Sequence, residues 1–137
     1  MRMASKKQTL KRENFVISSL YFKEECYGNP GHTYLYSATG DKATIISTDI
    51  LETDKNSNEL TITPDEFNNK IYNLINNWKR NYKPKFDICD GLMWKLEIEL
   101  RDGTKYKFAG YHETPENFEE FEDYLNNAIG VVHRHQD

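Results

Sequence analysis

The sequence predicts an α+β domain, an antiparallel sheet of about five to six strands with two helices packed on one face. Three observations predict it. Residues 93–100 alternate Trp94, Leu96, Ile98 and Leu100 with Lys95, Glu97 and Glu99, the period of a strand that is dry on one side and wet on the other. Two Thr-Pro-acid signatures, Thr63-Pro64-Asp65-Glu66 and Thr114-Pro115-Glu116, each precede an apolar stripe of helical period. Nine Tyr, seven Phe and two Trp in 137 residues supply volume for one core, although only 37% of the chain is hydrophobic.

Residues 1–14 carry Arg2, Lys6, Lys7, Lys11 and Arg12 against Glu13 alone, with little apolar content, and read as a mobile basic arm. Residues 15–130 then form one domain and 131–137 a flexible tail. A first strand is expected over residues 15–22, where β-branched and aromatic residues run up to the reversal at Gly28-Asn29-Pro30-Gly31. Residues 32–38 and 43–48 flank a Gly40-Asp41 turn, and a two-residue hairpin there sets Tyr36 opposite Ile45 and Leu35 opposite Ile46. A polar loop at 54–58 precedes a short edge strand at 59–62.

The first helix starts after Thr63, with proline at the first helical position and Glu66 placed to close a capping box. Phe67, Ile71, Leu74, Ile75 and Trp78 recur on its buried face, and it ends before Pro84. In the second hairpin, a two-residue Asp102-Gly103 turn would oppose Leu100 to Lys105 and Ile98 to Lys107, setting apolar residues against charges. A three-residue Arg101-Asp102-Gly103 turn, with Gly103 left-handed, instead pairs Ile98 with Tyr106 and Leu96 with Phe108. It also pairs Glu97 with Lys107 and Glu99 with Lys105 on the wet face. A second helix opens at Thr114-Pro115-Glu116, buries Phe118, Phe121, Leu125 and Ile129, exposes Glu119, Glu120, Glu122 and Asp123, and stops at Gly130. Aligning the two Thr-Pro caps superposes Phe67 on Phe118 and Leu74 on Leu125, the pattern of either a duplicated strand-strand-helix unit or two helices that solve one capping problem alike.

Within this second half, Asp90-Gly91, Trp94-Lys95-Leu96-Glu97-Ile98, Asp102-Gly103, Gly110-Tyr111 and Pro115-Glu116-Asn117-Phe118 resemble a pattern of small uncharacterised bacterial α+β proteins, some of them lipoproteins. The resemblance implies the strand-strand-helix order and carries no activity or site.

A net charge of −4 and a pI near 5.6 give no global attraction to nucleic acid or anionic membrane. No run approaches the roughly 18 apolar residues of a membrane span, and the polar first residues lack the apolar core of a signal peptide, so the reading is a cytoplasmic protein. Frequent Asn and Lys suit an AT-rich bacterial or phage genome. Cys26 and Cys89 lack any metal or redox spacing and read as reduced thiols.

Asp87, Asp90, Glu97 and Glu99 surround one strand, as acids do in metal-dependent nucleases. Such a site also needs a converging lysine, and the hairpin register already assigns Lys107 and Lys105 to Glu97 and Glu99; a solvated sheet face is the simpler account. His32 or His112 beside a cysteine has no catalytic signature, and His133-x-His135 in a tail has no preformed metal geometry. No phosphate-binding glycine loop or zinc-protease motif occurs. The expectation is therefore no enzyme, no cofactor and no metal.

Lys79, Arg80, Tyr82, Lys83 and Lys85 interleave cations with aromatics; together with Lys6, Lys7, Lys11 and Arg12 of the arm they form the nucleic-acid-binding alternative. Cations also belong at a helix C-terminus, where they complement the macrodipole. The leading expectation is a protein-interaction module that engages its partner through Glu119, Glu120, Glu122 and Asp123 and neighbouring tyrosines such as Tyr111. In one form of it, those acids stand in for phosphates and occupy a nucleic-acid-binding host protein.

Overall fold

The computed structural model describes residues 10–26, 32–39, 42–49, 56–59, 63–82 and 92–128. Its elements run β1 (Ile17–Cys26), β2 (His32–Thr39), β3 (Lys42–Asp49), β4 (Asn56–Glu59), α1 (Pro64–Ile75), β5 (Asn81–Tyr82), β6 (Leu92–Leu100), β7 (Lys105–Tyr111) and α2 (Phe118–Ala128). One sheet is formed in the order β4-β3-β2-β1-β6-β7-β5, and only the two-residue β5 runs parallel to its neighbour. The fold is α+β, and the added parallel strand is a small extension of the expected sheet.

Period-2 alternation decides which face is dry. Leu20 and Phe22 of β1, Tyr34 and Tyr36 of β2, Ile45 of β3, Trp94, Leu96, Ile98 and Leu100 of β6, and Tyr106 and Phe108 of β7 are buried. The registers place them side by side, with Leu20 between Tyr36 and Ile98 and Phe22 between Tyr34 and Leu96. Both helices cover this face, contributing Phe67, Ile71, Leu74 and Ile75 from α1 and Phe118, Phe121 and Leu125 from α2 to one cluster. At its centre the Trp78 ring lies 5.1 Å from Phe121, 5.5 Å from Trp94 and 5.7 Å from Phe108. The opposite face has no helix over it among the described residues.

The β6–β7 ribbon has the bulged register that both faces demanded. Ile98 pairs with Tyr106, Leu96 with Phe108, Glu97 with Lys107 and Glu99 with Lys105, and Gly103 sits at φ 94°. Tyr36 likewise opposes Ile45 and Leu35 opposes Ile46. The α1 capping box is complete, since Thr63 Oγ1 accepts the Glu66 N–H and Glu66 accepts the Thr63 N–H.

Four expectations need correction. Strand β4 occupies Asn56–Glu59, mostly in the expected polar loop and sharing only Glu59 with the expected edge strand, because β3 offers a backbone ladder that pairs Ile45 with Asn58 and needs no apolar residue at that edge; residues 60–62 lie outside the described residues. Helix α1 ends at Ile75, so the buried Trp78 is delivered by the chain leaving the helix, its N–H bonded to the Ile75 carbonyl, and not by the helical face itself. Helix α2 starts at Phe118, not at Thr114. Trp94 Nε1 donates to the Glu113 carbonyl at 2.9 Å, and Pro115 O accepts the Phe118 N–H, so the Thr-Pro segment is spent on a separate turn. Asn117 O accepts the Phe121 N–H and opens the helix, which moves the cap alignment so that Phe67 matches Phe121. Finally, Leu10, the first described residue, is buried at 7% exposure, and the Lys11 N–H donates to the Tyr106 hydroxyl, so the 10–14 part of the expected basic arm includes residues of the packed body, while residues 1–9 lie outside the described residues. Ile129, Gly130 and the 131–137 tail lie outside the described residues.

Candidate functional site

The two helices lie side by side and antiparallel. Phe67 stacks on Tyr124 at 5.9 Å, Lys70 Nζ reaches Glu120 at 3.9 Å, and Asn117 Nδ2 donates to the Leu74 carbonyl at 2.7 Å. Asn117 also accepts the Trp78 indole N–H through Oδ1 at 2.7 Å, so one amide ties the end of α1 to the start of α2. Because the apolar stripes of both helices face the sheet, their outer surfaces form one layer. Asp65 and Glu66 of α1, Glu116 just before α2, and Glu119, Glu120 and Asp123 of α2 are all exposed there. Lys70 is the single cation within either helix. Asn69, Asn73, Asn126 and Asn127 fill much of the remaining surface and carry no charge.

Of the four acids read from the sequence as one patch, Glu119, Glu120 and Asp123 share this layer. Glu122 does not. It sits on the flank of α2 between Phe118 and Leu125, half-buried, with its carboxyl beside that of Glu24 of β1. Desolvation, reinforced by the hydrogen bond and charge of Glu24 and then by Asp123 and Glu119, pushes Glu122 up to about 8, so it holds a proton at neutral pH. Tyr111 is also separated from the acids. It pairs with Met93 at the end of β7 and, with Lys23, Glu25, Lys95 and Ala109, borders a shallow depression of about 400 Å³ on the uncovered face of the sheet.

The basic residues are dispersed. Lys11 Nζ lies 3.3 Å from Asp102, an exposed carboxyl held below its usual range first by hydrogen bonds from Thr104 and then by Lys11. The Arg12 guanidinium covers the Tyr72 ring at 4.9 Å. Lys79 and Arg80 are exposed, but the Tyr82 ring packs 5.9 Å from Trp94 and its hydroxyl accepts the Lys79 N–H, so its partly buried ring is poorly placed for base stacking. Lys6, Lys7, Lys83 and Lys85, and the acids Asp87 and Asp90, lie outside the described residues. Glu97 and Glu99 are on the uncovered sheet face, where with Ser19, Tyr21, Lys105 and Lys107 they line a depression of about 200 Å³, and Lys95 Nζ lies 3.9 Å from Glu97.

A cleft of about 640 Å³ opens where the C-terminal end of α1 faces the start of α2, bordered by Asn73, Asn77, Lys79, Tyr82, Glu116 and Glu119 among others. Its walls combine amides, acids and one lysine with the Tyr82 and Thr114 hydroxyls and the apolar Leu74, Trp78 and Pro115, and no His or Cys lines it. Among the described residues no group of three or more His, Cys, Asp or Glu side chains is placed to hold a metal. No helix among them is long and apolar enough to cross a membrane. Comparison of the chain with protein-family models, curated proteins and solved structures found no match.

Sequence reasoning missed Glu24, Asp65, Glu66 and Glu116 as members of these arrangements. Glu24 had a visible signal, since it is the one acid in phase with Leu20 and Phe22 on the dry side of β1.

Proposed function

We propose that the protein is a non-enzymatic binding module that engages a basic surface of another protein through its helical layer, acting in the cytoplasm of a bacterium or of a cell carrying a mobile element. The observation that carries this reading is the charge of that layer, where Asp65, Glu66, Glu116, Glu119, Glu120 and Asp123 stand exposed with Lys70 as the one cation within α1 and α2. Carboxylates held at helical spacing on a rigid pair of helices accelerate encounter with a cationic surface and disfavour anionic partners. An inhibitor of a nucleic-acid-binding protein is the specific form this takes, with the acids occupying positions that phosphates would fill. Tyr111 belongs to a different face and has no part in it. Direct nucleic-acid binding through Lys79 and Arg80 is the weaker reading, because Lys11, Arg12 and Tyr82 are each engaged within the fold.

The test is capture from a native host extract with the wild-type chain and with Glu119→Lys, Glu120→Lys and Asp123→Lys combined. A basic protein retained by the first and lost by the second supports the reading; an unchanged set of captured proteins overturns it.

A further inference from the structure

We propose that Glu24 and Glu122 form a proton-dependent latch that seats α2 on the central strand β1 while the two carboxyls share one proton, and that loosens α2 when that proton leaves. The inference is independent of the partner-binding reading. It starts from position. Glu24 continues the dry stripe of β1 after Leu20 and Phe22, and its register neighbour on β6 is the buried Trp94. Glu122 occupies the matching flank of α2, four residues after Phe118 and three before Leu125, both buried. Two acids therefore stand at positions where the apolar pattern of each element calls for a hydrophobic residue, and the fold brings them together.

Their contact has only one stable chemistry. Two ionised carboxylates in hydrogen-bond range repel, whereas one neutral carboxyl donates an O–H to the other carboxylate in a short charge-assisted bond. Glu24 Oε1 is enclosed and accepts no hydrogen bond from a fixed donor among the described residues, so a second negative charge beside it would be uncompensated. The groups facing the pair deepen the effect. Glu119 and Asp123 on α2 are acids that raise the cost of ionising Glu122, and β6 supplies Trp94, which carries no charge; of His32 on β2 only the backbone register opposite Glu24 is described.

The sign follows from linkage. The folded chain keeps a proton that the unfolded chain releases in the ordinary carboxyl range, so the latch contributes stability at low pH that is lost as pH rises towards about 8. Where one such proton is retained by the folded state alone, the unfolding constant rises by up to about tenfold per pH unit, less where solvent reaches the pair.

The experiment is hydrogen exchange of α2 amides together with urea unfolding at pH 6, 7, 8 and 9 in the presence of a chelator, on wild type, Glu122→Gln, Glu24→Gln and His32→Gln. Wild type is expected to lose α2 protection, corrected for intrinsic exchange, by roughly tenfold or more across this range. Glu122→Gln, which supplies a permanent neutral donor, should flatten the profile and be the more protected chain at pH 9. A side-chain carboxyl resonance titrating above pH 7 in wild type would support the latch. Equal slopes in wild type and Glu122→Gln would overturn it. So would a profile abolished by His32→Gln alone, or recovery of wild-type protection at pH 9 on adding calcium or zinc ions without chelator, which would assign the carboxyls to a metal.

Discussion

Asn117→Ala removes the amide that joins the two helices, and its cost can be worked from the contacts. In the wild type Asn117 Oδ1 accepts the Trp78 Nε1–H and Nδ2 donates to the Leu74 carbonyl, both at 2.7 Å. Trp78 is only 2% exposed, so its indole N–H has little access to a replacement acceptor. An intramolecular hydrogen bond contributes about 0.5–1.5 kcal/mol net, and a buried donor left without a partner costs about 1–3 kcal/mol. The substitution should therefore destabilise the fold by about 2–4 kcal/mol, a fall of roughly 1–2 M in the urea midpoint at a slope near 2 kcal/mol per M. Asn117→Asp keeps the acceptor for Trp78, loses the donor to Leu74 and places a charge at the positive end of α2, so it should cost about 1 kcal/mol or less. Asn127→Ala, exposed on α2, serves as the control and should stay within about 0.5 kcal/mol of wild type. Tryptophan fluorescence reports the transition, since Trp78 lies against Trp94. If Asn117→Ala unfolds at the control's midpoint, the reasoning that one amide couples the two helices is wrong.

Gly110→Ala tests the close approach of β7 to Trp94. A Cβ there would overlap the indole nitrogen and sit 2.6 Å from the Glu113 carbonyl oxygen, so thermal unfolding should show a loss of at least about 2 kcal/mol. Leu10→Ala should cost about 1–3 kcal/mol, since this side chain is packed into the core; a neutral result in urea would return residues 10–14 to the status of a free arm. Thr63→Ala breaks the capping box of α1 and should lower stability by about 1 kcal/mol in the same assay.

What could be read from the chain beforehand follows from the range over which each interaction acts. The β6–β7 ribbon was legible because two alternating patterns and one glycine leave a single register in which apolar meets apolar and acid meets base. The α1 start was legible because its cap is local to Thr63–Glu66. The sheet order was not, since β1 lies between β2 and β6 through pairings of distant segments that local pattern does not encode. The start of α2 misled for a related reason. Thr114-Pro115-Glu116 has good capping chemistry, but the indole of Trp94 holds the Glu113 carbonyl and the chain must complete a turn before the helix begins. The acidic character of α2 was plain, while its continuation onto α1 needed the antiparallel pairing of the helices. The placement of Glu122 against Glu24 depended on a tertiary meeting, though each acid is an anomaly within its own apolar stripe.

The helical layer is the proposed partner-binding surface. Its most direct measurement is the affinity of a captured basic partner, by titration calorimetry, for wild type, for Glu119→Lys, Glu120→Lys and Asp123→Lys combined, and for Lys105→Glu with Lys107→Glu on the opposite face. Reversal on the helices is expected to weaken binding at least about a hundredfold, near 3 kcal/mol, and reversal on the sheet to leave it within about threefold. Loss of affinity confined to the sheet-face variant would contradict this assignment.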